Sequence, residues 1–238
     1  MIRHSGVPSS PDVIVYYCTV SADDLPLYDR LCGKIQASRL EKINRLRFLS
    51  DRNLALAAEA LLMHACERES IDYQGQHIET NEYGKPRFRD SAFHFNITHS
   101  GNLAACAVSG IPIGCDAEQI TPLSPCDPLL SALTPAELEA FYAHSPGQER
   151  DRYFFRLWTA KESLLKCVGT GLSAAPTDIQ LAEQKGVLSY ARHPFTGDFS
   201  LKKCDLQPGY CACVCLPIPQ SSLMGKSIRC DRVLLDAL

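Results

Sequence analysis

The sequence predicts an α+β fold of two similar α/β halves, because two segments of the first half recur in the same order in the second. Residues 57–62 resemble residues 160–165, and residues 101–108 resemble residues 209–216. Each match alone is weak, since Ala/Leu-rich helices and small-residue strands are common. Together they indicate a duplication whose halves, 1–111 and 112–238, are related by pseudo-twofold symmetry.

The first half alternates strand-like and helix-like segments. Residues 12–20 are β-branched and aromatic, which predicts a strand, and residues 21–26 carry turn and cap chemistry. Residues 37–69 contain few helix breakers around an Ala/Leu-rich centre and predict a buried helix. Residues 78–88 predict a strand and a turn, and residues 103–109 predict a buried strand.

The second half begins with a short predicted strand at residues 112–118. Residues 134–137 place threonine, proline and glutamate as they stand at a helix start. Residues 153–168 predict a longer helix that ends at the glycines following it. Residues 176–216 return to short strands, and the tail beyond Pro217 shows no clear pattern.

The composition excludes several classes of protein. In 238 residues, 45% hydrophobic side chains suffice for a core, yet no run approaches the roughly 20 apolar residues that span a bilayer. Residues 1–12 lack the apolar run of a secretion signal, and we expect a short disordered lead there. We therefore expect a cytoplasmic protein without membrane contact, in which most of the twelve cysteines are reduced thiols.

Cys211, Cys213 and Cys215 alternate along an apolar run, which places them on one face of a strand. Free cysteine behaves as a small hydrophobe, so the main interpretation is that they fill the core. A metal or redox role is the alternative. It fits less well, because metal sites usually recruit cysteines from a C-x₂-C turn.

Positive charge is concentrated between residues 39 and 52, although the net charge of −3 argues against nucleic acid as a partner. Five basic residues outnumber two acidic ones there. If the segment is helical, Lys42, Arg45 and Arg52 fall within about 80° of one another, given about 100° per residue. A phosphate-binding face and an ordinary solvated face both fit this pattern.

Two groups of residues carry metal and acid–base chemistry. Asp116 and Glu118 are two apart on a predicted strand and face the same side, as ligands for a hard cation such as Mg²⁺ would. Trp158, Glu162 and Lys166 are four apart and share a helix face. The alternatives are exposed acids at a strand end and an ordinary Glu162–Lys166 helix pair with Trp158 in the core.

Four blocks of sequence, taken in order, resemble the Sfp-type 4'-phosphopantetheinyl transferases. The blocks are Tyr83-Gly84-Lys85-Pro86, then Phe95-Asn96-Ile97-Thr98-His99-Ser100, then Gly114-Cys115-Asp116-Ala117-Glu118, then the helix segment from Trp158 through Lys161 and Glu162 to Lys166. The resemblance runs from about residue 39 to residue 172. Thr98 stands where serine is frequent, and the arginine-rich region matches only loosely.

The resemblance implies the 4'-phosphopantetheinyl transferase fold and a reaction in which a carrier-protein serine attacks the β-phosphate of coenzyme A. The leaving group is 3',5'-ADP, and the apo acyl or peptidyl carrier becomes the holo-carrier. Mg²⁺, or Mn²⁺ in its place, is implied on three carboxylates: Asp116, Glu118 and Glu162. The implied catalytic residues are Glu162, Lys166 and Lys161.

The resemblance also implies which residues contact coenzyme A. They are Lys42, Arg45, Arg52, Tyr83, Gly84, Lys85, Pro86, Thr98, His99, Lys161 and Lys166. A site between two halves of one chain needs no second subunit, so we expect a monomer. Two other functions remain open from the residues: a Mg²⁺-dependent hydrolase of nucleotide pyrophosphates, and a non-catalytic module that binds coenzyme A or a carrier.

Overall fold

The computed structural model describes residues 13–21, 27–223, 228–235 and 238. Within them, a mixed four-stranded sheet and an antiparallel three-stranded sheet each pack against one long helix. The lead predicted at residues 1–12 and most of the turn predicted at residues 21–26 lie outside the described residues. No helix in the described ranges is both long and apolar enough to cross a membrane.

The first half contains a long buried helix over a sheet, as the sequence predicts. Its elements are β1 (Val13–Thr19), α1 (Leu27–Leu31), α2 (Ala37–Asn44), α3 (Leu49–Arg68), β2 (Ile78–Thr80), β3 (Pro86–Phe88), β4 (His94–Ser100) and β5 (Leu103–Ser109). Strand β5 pairs antiparallel with both β1 and β4. Helix α3 packs on this sheet and buries nearly all of its apolar side chains.

The helix predicted at residues 37–69 is divided, because the chain leaves helical geometry between Asn44 and Leu49. Phe48 caps α3 in an extended conformation, with φ −97° and ψ 142°. Strand β4, to which the sequence analysis assigns no strand, is the second difference. Its alternate positions carry Asn96, Thr98 and Ser100, so it lacks the apolar content that marks β5.

The second half also packs a long helix on a sheet. Its elements are β6 (Gly114–Gln119), α4 (Pro135–Ala143), α5 (Gln148–Val168), β7 (Gln180–Gln184), β8 (Val187–Arg192), β9 (Ser200–Lys203), β10 (Tyr210–Leu216), α6 (Gln220–Leu223) and β11 (Ile228–Arg232). The capping box predicted at α4 is present, with Thr134 and Glu137 bonding each other's backbone N–H. Helix α5 ends at Gly169, whose φ of +86° favours glycine.

The two halves share one topology, which confirms the predicted duplication. In the first, the order β1, α3, hairpin β2–β3, β4, β5 gives the sheet order β1-β5-β4. In the second, the order β6, α5, hairpin β7–β8, β9, β10 gives the sheet order β6-β10-β9. The glycines that precede β5 and β10, Gly101 and Gly209, both have positive φ.

Strand β11 departs from this symmetry, because it pairs in parallel with β1 and so completes the sheet of the first half. The sequence analysis finds no element there. The strand sits at the sheet edge and alternates Ile228 and Cys230 with charged residues, so its apolar signal is short. The C-terminal segment therefore belongs spatially to the first half.

The three alternating cysteines of β10 lie on one strand face, as predicted, and pack towards α5. All three are buried. No disulfide joins any of the twelve cysteines, all of which lie among the described residues. The apolar clusters that contain Cys211, Cys213 and Cys215 are what the core-filling interpretation expects.

The two halves meet where β4 runs beside β6. Side chains of β4 accept hydrogen bonds from the backbone of β6 along the whole junction, so the two sheet edges are joined through side chains. Helix α5 lies directly on β6, and a Cβ at Gly114 would overlap the backbone of Ser163 and Cys167. Gly114 therefore permits the close approach of α5.

Candidate active site

A pocket of about 220 Å³ opens where β4, β6, α3 and α5 meet. Both halves supply its lining residues, which are Arg39, Ile43, Ala55, Glu59, Ile97, Thr98, His99, Asp116, Glu118 and Lys166. A larger cavity of about 450 Å³ lies beside β9, but the residues that line it include no carboxylate. The smaller pocket is the candidate site, because five of the predicted site residues line it: Thr98, His99, Asp116, Glu118 and Lys166. The third predicted acid, Glu162, is not among its lining residues.

Asp116 is a buried acid of the pocket, with 2% of its surface exposed. Its Oδ1 accepts hydrogen bonds from Lys166 Nζ at 2.6 Å and from Thr98 Oγ1 at 3.2 Å. Burial lowers the pKa of Lys166, but the Asp116 carboxylate more than offsets this and raises the pKa. Asp116 Oδ2 is buried and has no hydrogen-bond partner within the described part of the chain.

Glu118 follows on the same side of β6, as its spacing predicts. Its Oε2 accepts a hydrogen bond from Ser100 Oγ at 2.5 Å. Burial raises the pKa of Glu118 and the Asp116 charge adds to the rise, while hydrogen bonds from Ser100 and Trp158 act in the opposite direction. Trp158 thus reaches the site as well as the core.

Glu162 belongs to α5, and the charges of Asp116, Glu118 and Lys166 act on its carboxylate. Burial raises its pKa to about 7, the charges of Asp116 and Glu118 add to the rise, and Lys166 opposes it. Its Oε1 is buried without a hydrogen-bond partner among the residues described. A buried carboxylate oxygen that has lost its water and gained no donor is costly, and such groups mark sites that receive a ligand or proton.

The donor set fits Mg²⁺ by type, because the acids offer only hard oxygen ligands and two of their buried oxygens lack partners. The three acids are nevertheless not assembled into a ligand cluster among the described residues. The Lys166 ammonium occupies one side of Asp116. The structure therefore contains suitable donors without showing the coordination geometry.

His99 and Arg39 form the wall that the first half contributes. Desolvation lowers the pKa of His99, and the nearby Lys166 ammonium lowers it further. Arg39 donates to Glu59 Oε2 from Nε at 3.0 Å and from Nη2 at 2.7 Å. Arg39 is the first residue of the predicted basic segment, yet it is not among the predicted site residues.

The continuous helix that would align Lys42, Arg45 and Arg52 does not form, because the chain leaves helical geometry between Asn44 and Leu49. Arg45 is exposed and pairs with Glu41 at 2.6 Å. Arg52 Nε donates to the Leu46 carbonyl at 2.7 Å. In the described structure, none of the three belongs to the pocket lining.

The Tyr83–Pro86 turn is tied to the second half by its lysine. Lys85 Nζ donates to the carbonyls of Ile113 and Cys167, each at 3.0 Å, and burial lowers its pKa. Asn81 Nδ2 donates to the Gly169 carbonyl at 2.7 Å. Tyr83 remains about half exposed, at 48%. The turn therefore sits at the C-terminal end of α5, with its ring open to solvent.

Lys161 lies in the core, which is at odds with its predicted contact to phosphate. The side chain is fully buried, and Nζ donates to the Ala132 carbonyl at 2.8 Å and to Glu137 Oε2 at 2.5 Å. Glu137 also accepts from the backbone N–H of Thr134 and Leu181. The Lys161 ammonium thus joins α5 to α4, and it could reach the pocket only if its buried ion pair with Glu137 broke.

Several known proteins are similar in sequence to this chain. A family model described as the 4'-phosphopantetheinyl transferase superfamily matches residues 112–215. A 4'-phosphopantetheinyl transferase of Bacillus subtilis is 35% identical over 61% of this chain and 65% of the relative, slightly under two thirds of its length. The 4'-phosphopantetheinyl transferase Sfp of Bacillus subtilis (strain 168) is 30% identical over 80% of this chain and 86% of the relative.

Among solved structures, the holo-[acyl-carrier-protein] synthase of Thermotoga maritima matches with a TM-score of 0.38 and 18% identity. The match covers 46% of this chain and 64% of that one.

Proposed function

The chain belongs to the 4'-phosphopantetheinyl transferase superfamily, and we propose that the pocket between its halves binds coenzyme A and Mg²⁺ for the transfer. It is an enzyme that transfers phosphopantetheine to carrier proteins. The observation that supports this use of the pocket is a buried oxygen of Asp116 that has no hydrogen-bond partner among the described residues and lies on a carboxylate paired with the Lys166 ammonium. A second such oxygen belongs to Glu162, whose carboxylate feels the charges of Asp116, Glu118 and Lys166.

In the proposed reaction, a carrier serine hydroxyl attacks the β-phosphate of coenzyme A. The bond from this phosphorus to the bridging oxygen breaks, and 3',5'-ADP departs with that oxygen. Phosphoryl transfer demands positioning and charge neutralisation more than covalent help from the protein. Lys166 supplies positive charge beside the reacting phosphate, and it is held in place by Asp116 and Thr98.

Glu162 takes the serine proton in this proposal. A general base works best when its pKa lies near the working pH, and burial raises the pKa of Glu162 to about 7. Its unpartnered Oε1 is free to accept the proton. Burial therefore moves the pKa of Glu162 towards the range that suits a general base.

Asp116, Glu118 and Glu162 would hold Mg²⁺. The bound ion would supply Lewis-acid stabilisation of phosphate charge and a template for the pyrophosphate. Mn²⁺ offers the same preference for oxygen ligands. A chelator should therefore abolish transfer, and Mg²⁺ or Mn²⁺ should restore it.

We assign the coenzyme A nucleotide to the first half, residues 1–111, and the metal and proton chemistry to residues 112–238. His99 lines the pocket, and we expect it to bind the 3'-phosphate together with Lys42, which lies outside the lining, or a neighbouring arginine. The turn of Tyr83, Gly84, Lys85 and Pro86 would frame the adenine, and Thr98 would donate nearby. Arg45, Arg52 and Lys161 are left out of the proposed site, because other partners hold them.

The proposed partner is an apo acyl or peptidyl carrier protein, met by a monomer in the cytoplasm. Both halves of the pocket come from one chain, so the site is complete without a second subunit.

The test is incubation with coenzyme A, Mg²⁺ and a panel of apo-carriers, read by intact mass. We expect one carrier to gain one phosphopantetheine and an equal amount of 3',5'-ADP to appear. A carrier whose acceptor serine is replaced by alanine is the control. Cleavage of coenzyme A without any gain in carrier mass would instead identify a pyrophosphate hydrolase.

A further inference from the structure

Three side chains of β4 form a ladder along β6, and each accepts a hydrogen bond from a backbone N–H of that strand. The three bonds are Cys115 N to Asn96 Oδ1 at 2.7 Å, Ala117 N to Thr98 Oγ1 at 3.4 Å, and Gln119 N to Ser100 Oγ at 3.2 Å. The acceptors and the donors are each two residues apart on their strands. Side chains of one edge strand thus replace the backbone partner that β6 lacks on this side.

The hydroxyl members of the ladder make a second contact that the amide member does not make in the described structure. Thr98 Oγ1 donates to Asp116 Oδ1 at 3.2 Å, and Ser100 Oγ donates to Glu118 Oε2 at 2.5 Å. A hydroxyl can accept a backbone N–H and donate its own proton at the same time. The hydroxyl groups therefore sit where β6 carries a carboxylate, and Asn96 sits beside Cys115, which carries none.

We propose that Ser100 is a positioning residue that aims the Glu118 carboxylate into the pocket for a divalent cation. This inference rests on the proposed function, because Glu118 is assigned there as a metal ligand. Ser100 is itself fixed by the backbone N–H of Gln119, so its hydroxyl points from a rigid base. Thr98 is a poorer test of the same idea, since it also accepts a hydrogen bond from Lys166.

The expected effect follows from the role of groups that orient metal ligands. Removing the hydrogen-bond partner of a ligand typically weakens metal binding about 10- to 100-fold. Ser100→Ala should therefore raise the Mn²⁺ dissociation constant by about that factor. Ser100→Thr should restore affinity, because Thr98 shows that the neighbouring position of this ladder accommodates a threonine making both contacts.

The experiment titrates Mn²⁺ into the full chain with saturating coenzyme A and follows free Mn²⁺ by electron paramagnetic resonance. Coenzyme A without protein corrects for metal bound in solution. Asn96→Ala is the matched control: it removes one contact of the ladder but no contact to a carboxylate, and Asn96→Ser replaces it if that variant fails to fold. Each variant also loses one hydrogen bond between β4 and β6, and its melting temperature measures the effect of that loss on stability.

A selective loss of Mn²⁺ affinity in Ser100→Ala, rescued by Ser100→Thr and absent in the Asn96 variant, supports the proposal. Transfer should then recover at high Mg²⁺, so the metal requirement rises while saturated turnover stays near the parent. Parental Mn²⁺ affinity in Ser100→Ala, or an equal loss in the Asn96 variant, would overturn it. Failure of the unmodified protein to bind Mn²⁺ would overturn the metal assignment in the proposed function instead.

Discussion

Glu59 in α3 and Glu162 in α5 occupy matching positions of the two halves, yet they differ in how many of their carboxylate oxygens are hydrogen-bonded. Both oxygens of Glu59 are satisfied, Oε1 by the Tyr73 hydroxyl at 2.7 Å and Oε2 by Arg39. Glu162 instead has a buried Oε1 that lacks a partner among the described residues. The same helix position is therefore an internal anchor in one half and a reactive group in the other.

The difference shows that matching positions of a duplicated fold can take different roles, one structural and one chemical. In the first half, Glu59 accepts hydrogen bonds from Arg39 of α2 and from Tyr73 of the loop after α3. These bonds join the three segments and stabilise the fold. In the second half, the corresponding partners are missing, and desolvation is left to raise the pKa of Glu162. Unsatisfied burial is unfavourable for stability, but it tunes a carboxylate for proton transfer.

Replacing Glu162 with glutamine should have the largest effect, and only on transfer. The change keeps the side-chain shape while removing charge and basicity, and a general base contributes about 10²- to 10⁴-fold. We expect transfer to an apo-carrier to fall by at least that range at saturating Mg²⁺, with the melting temperature close to the parent. Near-parental turnover in a well-folded variant would place the base elsewhere.

Replacing Glu59 with alanine should reverse that pattern. Removing one partner of a buried ion pair costs about 3–5 kcal/mol, because the remaining charge is left uncompensated. Arg39 is only 12% exposed and would lose its carboxylate, so the free energy of unfolding should fall by about that amount. Urea denaturation measures it. A stable Glu59→Ala protein that loses transfer as Glu162→Gln does would break the comparison.

Lys161→Met tests the second buried ion pair, with a smaller expected loss. Glu137 would keep its two backbone N–H donors, so we expect destabilisation of about 3 kcal/mol, the lower end of the cost of breaking a buried ion pair. The KM for coenzyme A should stay parental. Lys166→Met is the matched comparison on the same helix. It also leaves a buried carboxylate, that of Asp116, without its ammonium, so it should lose stability too and, unlike Lys161→Met, it should impair transfer. A raised KM in Lys161→Met would return that residue to the site.

The smallest effect concerns pH in metal-free buffer. Burial raises the folded-state pKa of Glu162 from its ordinary 4.5 to about 7, so between these values the folded state holds a proton that the unfolded state has released. This contribution to stability is complete below pH 4.5 and is lost as the pH rises through about 7. The difference in melting temperature between parent and Glu162→Gln should therefore change with pH over that window. An unchanging difference would show that Glu162 is not desolvated.

The internal repeat also indicates the environment of Lys161, because it aligns this residue with one of the first half. Lys161 aligns with Ala58, and both positions are fully buried. A lysine that aligns with a buried alanine is more consistent with an internal ion pair than with a phosphate contact. Local spacing alone placed Lys161 beside Glu162 and could not show which way each side chain faces.

The sequence by itself determined the two-half α+β fold, the long helices and the i, i+2 placement of Asp116 and Glu118, because hydrophobic periodicity and strand alternation are local properties. Tertiary structure alone decided the break between α2 and α3, the pairing of β11 with β1 and the hydrogen-bond ladder of β4 on β6. It also decided that Glu59 is satisfied and Glu162 is not. These outcomes depend on which partners packing brings together from distant parts of the chain, and no local pattern carries that information.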